Sequence, residues 1–469
     1  MIIVTKKLKN CLIQNEVSAQ HCVQIYIHKN ILQANTPTMT KQKVTLFWFR
    51  RDLRLEDNTG LFHALQSDFP VVPLFIFDDD ILDNLPKNDA RVSFIYDSLQ
   101  KINTELCTIG SSVLIKKGKT KDIWKSLLEE FDIQSVFFNK DYEPSAIKRD
   151  LATQELLAQN NIESFSFKDH VIFEEKEITK ADGLPYTVYT PYKNKWLEKY
   201  HILGQAPEYD TKLFFSNFDK NSYSFTELNE IGFERSTIKV QPHNLTQIAN
   251  YKETRDFPAL DSTSYLSPHL RFGTVSVRKL VNWANRKNQT FLSELIWREF
   301  FIQILFSFPY CVNHNFKPAY NGIQWRNNEE DFKRWCSGTT GYPMVDAGMR
   351  QLNETGYMHN RVRMIVASFL CKHLLIDWQW GEAYFAKKLL DFELASNVGN
   401  WQWAAGTGCD AAPYFRVFNP EIQQKKFDEN GAYIRKWIPE FDFGYNEPMV
   451  DHAFARDRAI AVYKDGILK

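Results

Sequence analysis

The stretch KVTLFWFRRDLRLEDN, residues 43–58, decides the expected fold of the N-terminal half. Its part Val44–Phe49 is a short apolar run of the kind that forms a strand buried on both faces of a sheet. Three further runs of this type follow: Val71–Phe77, Val113–Ile115 and Val136–Phe138. Helical stretches such as Ala90–Leu106 and Thr120–Phe131 separate them. Strands that alternate with helices predict an α/β domain with a parallel, doubly wound sheet.

Charged residues follow two of these runs directly. Arg50-Arg51-Asp52 comes after the first run and Asp78-Asp79-Asp80 after the second. Doubly wound sheets bind ligands beyond the carboxyl ends of their strands, so these residues mark a candidate binding edge. The first strand is not followed by Gly-x-Gly-x-x-Gly, which argues against a dinucleotide fingerprint there.

The remainder of the chain divides into three parts by its pattern. Residues 1–42 are polar, and we expect a disordered extension or a start codon upstream of the true beginning at Met39. Residues 43–170 form the α/β domain, and residues 171–245 read as a poorly periodic connector that contains several prolines. From residue 246 to residue 469 we expect an all-α domain, because Leu292–Phe306 and Arg361–Leu375 have helical apolar spacing without an internal proline.

Composition excludes several classes of protein. Lys and Arg total 57 and Asp and Glu total 57, so a protein that coats nucleic acid indiscriminately is not expected. The seven cysteines are scattered without a Cys-x-x-Cys pair, which predicts reduced thiols in a cytoplasmic protein and no metal site. No apolar run is long enough to span a membrane, and we expect a monomer. The 12 tryptophans are mostly core residues, yet so many invite a search for rings that stack or carry electrons.

Leu292–Phe301, LSELIWREFF, is the first candidate site segment. Glu294 and Trp297 lie three residues apart, so a helix places both on one face. A carboxylate beside an indole at a pocket wall suits a flat ligand with hydrogen-bonding edges. The alternative is an amphipathic helix with a buried Trp and a surface Glu.

Tyr357–Met364 is the second segment. Asn360 and Met364 are four residues apart and share a helix face, whereas Arg361 and Arg363 point elsewhere. Asn can bond a base edge, Met packs against flat rings and Arg binds phosphate. A capped helix start with surface arginines is the alternative.

Asp391–Asn419 is the third segment, and its Gly, Asn and Trp content is typical of a turn that shapes a ligand site. In a helix, Trp401 and Trp403 would lie roughly 200° apart, because each residue turns about 100°. One ring could then face inward and the other a cavity. A core ring and a surface ring are the alternative.

A hydroxyl-rich run precedes the helical region, and it follows Tyr251 and Arg255. Its members are Thr263, Ser264, Tyr265, Leu266 and Ser267. Hydroxyls and backbone N–H groups at a helix start suit a phosphate, although N-capping without a ligand is the commoner use of such runs.

Three long motifs resemble the photolyase/cryptochrome family. They are residues 43–58, residues 340–364 (TGYPMVDAGMRQLNETGYMHNRVRM) and residues 395–420 (ASNVGNWQWAAGTGCDAAPYFRVFNP). The resemblance runs from Val44 to about Glu440, and the last two motifs look like class I photolyases of cyclobutane pyrimidine dimers. It implies a light-driven lyase that binds FAD and repairs UV-damaged DNA.

The resemblance also implies the cofactor site. Tyr251 and the run from Thr263 to Ser267 would hold the FAD pyrophosphate and ribitol. Arg363, Asp391 and Glu393 would approach the flavin ring, and Glu294 would also contact the cofactor. Asn397 matches the position that faces flavin N5, where photolyases carry Asn and plant cryptochromes carry Asp.

The remaining roles implied by the resemblance concern electrons and DNA. The catalytic set adds to Glu294 and Asn397 the tryptophan chain Trp401, Trp378 and Trp325. The lesion pocket would comprise Glu294, Trp297, Asn360, Met364 and Trp403. The residues that grip flanking phosphates would be Arg255, Arg361, Arg416 and Gln423.

Two departures limit what the resemblance implies. Ser145-Ala146 stand where folate-antenna members carry Asn-Glu, so the antenna chromophore stays open between folate, deazaflavin and none. His359 is followed by Asn360 rather than by a second His, which argues against repair of (6-4) products. Two rival functions remain: a blue-light photoreceptor cryptochrome without repair, and a non-enzymatic nucleotide-binding module.

Overall fold

Five parallel strands form one sheet in the computed structural model, which describes residues 41–467. The predicted N-terminal extension therefore lies almost wholly outside the described residues. The strands are β1 (Lys43–Phe49), β2 (Val71–Asp78), β3 (Leu114–Gly118), β4 (Asp132–Asn139) and β5 (Glu163–Phe167). Their spatial order is β3-β2-β1-β4-β5, and Leu46 in the central strand lies opposite Val72 and Val136. The predicted doubly wound parallel sheet is confirmed, with the switch between its two halves at β1 and β4.

Helices cover both faces of this sheet. They are α1 (Thr59–Ala64), α2 (Asp79–Leu82), α3 (Ala90–Cys107), α4 (Thr120–Glu130) and α5 (Pro144–Gln159). Strand β1 is buried from Val44 to Phe49, as its unbroken apolar run predicts. Strand β5 was not predicted, because it lies at the edge and its burial alternates with exposure from Glu163 onwards.

The predicted connector contains a helix that the sequence pattern did not reveal. Helix α6 (Tyr189–Leu203) buries Tyr192, Trp196 and Tyr200, which are spaced four residues apart and so share one face. The indole N–H of Trp196 donates to the buried carboxylate of Glu299 at 2.6 Å. The connector is thereby tied to the helical half.

The second half is almost wholly helical, as predicted. Its helices are α7 (Tyr251–Thr254), α8 (Leu266–Phe272), α9 (Val277–Lys287), α10 (Gln289–Ser307), α11 (Glu329–Ser337), α12 (Pro343–Thr355), α13 (Asn360–Ser368), α14 (Trp378–Lys388), α15 (Leu394–Ala405), α16 (Pro420–Phe427), α17 (Ala432–Trp437) and α18 (His452–Gly466). Within residues 41–467, no helix is both long enough and apolar enough to cross a membrane.

The stretch Arg361–Leu375 is not one regular α-helix. Helix α13 ends at Ser368, and Phe369–His373 continues as a single π-helical turn whose residues are all buried. Apolar spacing predicts which face of the helix is buried, but it does not reveal that one turn contains an extra residue. Such turns occur often at functional sites, and this one leads into α14.

Arg51, just after β1, connects the two halves of the molecule. Its guanidinium donates to Asp141 at 3.0 Å, to Glu143 at 3.1 Å and to Glu393 at 2.6 Å. Glu393 is the residue that precedes α15, and it also accepts from Arg298 at 2.8 Å. The predicted charged edge of the sheet thus serves, at Arg51, to hold the helical half.

Removal of the Glu393 charge is expected to destabilise this junction. Burial alone would raise the pKa of Glu393, but Arg298 and Arg51 outweigh it and lower the pKa to about 2. Glu393→Gln should lower the free energy of unfolding at pH 7 by about 3 kcal/mol, as measured by urea denaturation. The carboxylate stabilises the fold above its unfolded pKa, so the deficit should shrink as the pH falls from about 4.5 towards 2. Glu155→Gln, at an exposed position, is the control; an equal effect there would contradict the prediction.

Candidate functional site

Two adjoining cavities in the helical half gather most of the predicted site residues. The deep cavity lies among α13, α14 and α15. The outer cavity opens between α7, α8 and the start of α13. Asn360, Arg363 and Asp391 line both of them. Together they form an elongated site.

The two cavities differ in chemistry. The outer cavity is lined by the predicted hydroxyl run Thr263–Ser267 together with Tyr251 and Arg255. The deep cavity presents aromatic rings and amides, with Trp401, Trp403 and Phe385 beside Asn397. A ligand that fits both would be flat and apolar at one end and polar or anionic at the other.

Arg363 and Asp391 stand at the junction of the cavities. Two nitrogens of the Arg363 guanidinium donate to the two carboxylate oxygens of Asp391, at 3.2 and 2.8 Å. The third, Nε, donates to the carbonyl of Met358 at 2.8 Å. A guanidinium held at three points is a rigid wall element.

Asn397 is oriented by a residue that sequence reasoning missed. Its Nδ2 donates to the carboxylate of Glu382 at 2.8 Å and to the carbonyl of the same residue at 3.1 Å. Burial raises the pKa of Glu382. No hydrogen bond reaches Oδ1 of Asn397 from residues 41–467, so this oxygen is available as an acceptor. The sequence gives no signal for this pair, because its members lie on different helices, α14 and α15.

Glu393 lines the deep cavity, but its carboxylate is engaged elsewhere. One oxygen accepts from Arg51 and Arg298, and the other accepts from Ser396 at 3.1 Å. The side chain therefore acts mainly through the junction of the two halves.

The three tryptophans of the predicted chain do not all line the cavities. Trp401 is buried and lines the deep cavity, and its ring centroid lies 4.9 Å from that of Phe385. Trp378 is buried at the start of α14, where its Nε1 donates to Asn315 at 2.9 Å. Trp325 is half-buried and packs edge-on against Tyr463 at 5.7 Å. Of the three, only Trp401 lines one of these two cavities.

Trp335 is an aromatic neighbour that the sequence did not single out. Its ring lies 6.1 Å from that of Trp401 and 5.7 Å from that of Tyr384. Nothing in its local sequence distinguishes it from a core tryptophan, which is its plain structural role.

Trp401 and Trp403 lie on the regular helix α15, where the Gly, Asn and Trp content had favoured a turn, and both rings line the deep cavity. Trp401 is 2% exposed, whereas Trp403 is half-buried and also lines the deep cavity. On α13, Asn360 and Met364 line that cavity together, as their spacing predicts, but Arg363 lines it as well, so the expectation that Arg363 points elsewhere is wrong.

Glu294 and Trp297 share a face of α10 but line neither cavity directly. The indole of Trp297 stacks on Tyr189 with ring centroids 3.5 Å apart and planes 9° apart. The hydroxyl of Tyr189 donates to the carbonyl of Ser293 at 2.7 Å, which fixes the stack. Tyr189 was missed because it belongs to the connector, which was expected to be irregular.

Arg255 lines the outer cavity, whereas Arg361, Arg416 and Gln423 line neither cavity. Arg255 forms an ion pair with Glu294 at 2.5 Å, and Arg361 forms one with Asp256 at 2.7 Å. Arg416 is exposed and lies over Phe418, and Gln423 is half-buried on α16. These last two belong to the surface beyond the cavities.

Comparisons with known proteins agree with this architecture. A family model described as DNA photolyase matches residues 45–210, and a model described as the FAD binding domain of DNA photolyase matches residues 291–444. A deoxyribodipyrimidine photo-lyase of Alkalihalophilus pseudofirmus is 35% identical, and the alignment covers 89% of this chain and 97% of that protein.

Two solved structures are similar throughout. A bacterial class III photolyase from Agrobacterium tumefaciens is 33% identical with a TM-score of 0.79, covering 92% of this chain and 99% of its own. An archaeal photolyase from Sulfolobus tokodaii with two FAD molecules is 35% identical with a TM-score of 0.80, covering 90% and 100%.

The position of Trp401 depends on a glycine in the facing helix. A β-carbon at Gly381 would overlap the ring of Trp401 and crowd Leu370. Gly381→Ala should therefore displace the indole and lower stability by about 1–3 kcal/mol, measured by urea unfolding and near-UV circular dichroism. Ala383→Ser, on the exposed side of the same helix, should change neither signal. An unshifted Trp401 signal in Gly381→Ala would show that the contact is not tight.

Proposed function

The chain belongs to the photolyase/cryptochrome family, and from that membership we propose that it repairs cyclobutane pyrimidine dimers in DNA with light absorbed by FAD. Class I specificity for these dimers is part of the proposal, since the similar solved structures include a class III enzyme. The observation that carries it is the deep cavity, which joins the neutral amide of Asn397 to Asn360 and Trp403 at its opening.

The residues of the two cavities fit FAD by their chemistry. Hydroxyls of the run Thr263–Ser267 and the guanidinium of Arg363 suit a pyrophosphate and ribitol, and the deep cavity suits an isoalloxazine ring. When bound and reduced, FAD supplies one electron to the lesion after absorbing light and receives it back, so the net reaction is that of a lyase.

Asn397 contributes a neutral hydrogen-bonding group at the deep end. Glu382 holds its Nδ2, which leaves Oδ1 as an acceptor without a negative charge. An aspartate at this position would bring a carboxylate into a buried site. The amide therefore supports repair over the photoreceptor alternative.

The lesion would be held by rings and polar edges on α10, α13 and α15. A dimer must leave the duplex to reach the cavity, at a cost of a few kcal/mol that is lower for a damaged pair. Stacking on Trp297 and Trp403 would return roughly 1–3 kcal/mol per ring. Tyr189 covers one face of the Trp297 indole, which leaves the remainder of the ring for a lesion. Glu294, Asn360 and Met364 would contact the lesion edges.

Asn360 also favours cyclobutane dimers over (6-4) products. It lines both cavities directly after His359, at the position where (6-4) photolyases carry a second histidine. His359 itself is buried, and burial lowers its pKa to about 4, so it is neutral at pH 7. A neutral pair of this kind offers hydrogen bonds but no ready proton donor.

A third cavity suits a second chromophore. It lies at the carboxyl edge of the sheet, where Trp48, Arg50 and Thr120 are among its lining residues. The departure at Ser145-Ala146 also lies in its wall, so the identity of an antenna stays open. The expected domain boundaries, monomeric state and cytoplasmic location remain predictions.

Light-dependent repair is the test of the proposal. Protein with reduced FAD should restore a duplex that carries one thymine dimer under blue light and not in the dark, as measured by chromatography of the digested strands. A duplex with one (6-4) product should remain unrepaired. Tight, photoactive FAD without any restoration of the dimer would favour the photoreceptor instead.

Trp401→Phe separates the electron path from repair. The variant should lose most photoreduction of oxidised FAD, because phenylalanine is far harder to oxidise than tryptophan, yet repair when the FAD is reduced chemically. Absorbance changes under blue light and the repair assay measure the two effects. Trp124→Phe, another buried tryptophan in the α/β half, should affect neither. If the chemically reduced variant fails to repair, Trp401 has another role.

A further inference from the structure

Four side chains at the end of α7, on α10 and on α13 form two ion pairs that nothing in the proposed chemistry requires. Glu294 accepts from Arg255, and Asp256 accepts from Arg361. Arg255 and Asp256 are neighbours in the chain, and Nε of Arg255 lies 3.9 Å from Asp256. The side chains are 19–36% exposed, so these charges stand at the surface that DNA would meet.

We propose that these pairs make DNA binding conditional on a flipped pyrimidine pair, with Glu294 and Arg255 as the specificity-determining pair. The inference rests on the proposed function. Arg255 is held by Glu294 in the free protein, and it turns to a backbone phosphate only when a lesion offers Glu294 replacement donors.

Arg255 is the protein donor to Glu294, so the exchange requires another donor to take its place. Its carboxylate accepts only from Arg255 among residues 41–467. The nearby hydroxyl of Tyr189 is already bonded to Ser293, and Arg255 lies 5.3 Å over the ring of Tyr251. If Arg255 left, the Glu294 carboxylate, which is 31% exposed, would have only water as a donor and would lose the ion pair.

Damaged and undamaged DNA differ in what they offer this carboxylate. In a stacked duplex the imide N–H groups of thymine are engaged in base pairs and cannot reach Glu294. A flipped dimer exposes those N–H groups on its edge. Only the lesion therefore supplies both a phosphate for Arg255 and a donor for Glu294.

The second pair responds differently. Asp256 lies outside the set of lesion contacts, so it competes with phosphate for Arg361 on any DNA. The Nε of Arg361 is buried without a hydrogen-bond partner, and the guanidinium is held over Phe427 at 4.4 Å. Asp256 is thus expected to lower affinity for both kinds of DNA equally and to leave discrimination unchanged.

The experiment measures binding in the dark to one duplex with and without a single thymine dimer. Glu294→Gln should bind the undamaged duplex roughly 3- to 10-fold tighter than the wild type, because Arg255 is released to form a phosphate contact. Its affinity for the dimer duplex should not rise. Asp256→Asn should tighten both by the same factor. Glu253→Gln removes an equal charge on α7, next to the Arg255 pair, from an exposed residue that makes no ion pair in the described structure, and it sets the baseline.

The outcomes separate the inference from the proposed function. The proposed function predicts that the wild type prefers the dimer duplex in the dark and loses that preference under light, when the dimer is repaired. If the wild type binds both duplexes equally, the proposed function and the discrimination are both contradicted. If the wild type does prefer the dimer duplex, the comparison of the two variants decides the inference. Glu294→Gln must bind the undamaged duplex more tightly than Glu253→Gln does; equal or weaker binding would overturn the pair exchange. Unchanged thermal unfolding midpoints exclude misfolding as the cause. A plot of the logarithm of the binding constant against the logarithm of salt concentration should have a slope steeper by about 1 for Glu294→Gln, which would support the extra phosphate contact.

Discussion

The carboxylate of Glu393 joins the two halves of the molecule, and the site depends on that junction. Arg51 reaches it from the end of β1, and Arg298 reaches it from α10. Glu393 precedes the first residue of α15, so the charge cluster fixes where that helix begins. A buried ion pair adds little net stability compared with apolar packing, but it is strongly destabilising to break. Its contribution here is positional: the sheet fixes the start of the helix that carries Asn397, Trp401 and Trp403.

Close packing then sets the depth of α15 among its neighbours. Gly399 lies against the ring of Phe301 on α10, and Gly381 of α14 lies against the ring of Trp401. Any side chain at either glycine would push the helices apart. Because Asn397 bonds to Glu382 across the α14–α15 contact, the same closeness keeps its amide in place. The Glu393 charge cluster thus sets where α15 begins, and the two glycines set how closely α15 packs against its neighbours.

The sequence predicted those features that depend on local pattern. Unbroken apolar runs revealed the central strands, and apolar spacing revealed the helical half. Strand β5 and the π-helical turn at Phe369–His373 escaped, because an edge strand has a mixed pattern and one extra residue leaves spacing nearly unchanged. The site residues came from long motifs. Glu382, Tyr189 and Asp256 escaped because their roles exist only through partners that are distant in the chain or on another helix.

Neutral overall charge is compatible with the proposed DNA binding because Arg255 and Arg361 are paired with carboxylates and do not act as free cations. Attraction to DNA grows with the number of phosphates that a protein neutralises. Here Arg255 and Arg361 already neutralise Glu294 and Asp256, so an undamaged duplex gains little from them. In the free protein Glu294 competes with phosphate for Arg255. When a ligand donates to Glu294 in place of Arg255, Glu294 becomes a contact of the base edge. Recognition by exchange therefore needs no positive excess, which is consistent with 57 basic and 57 acidic residues in the chain.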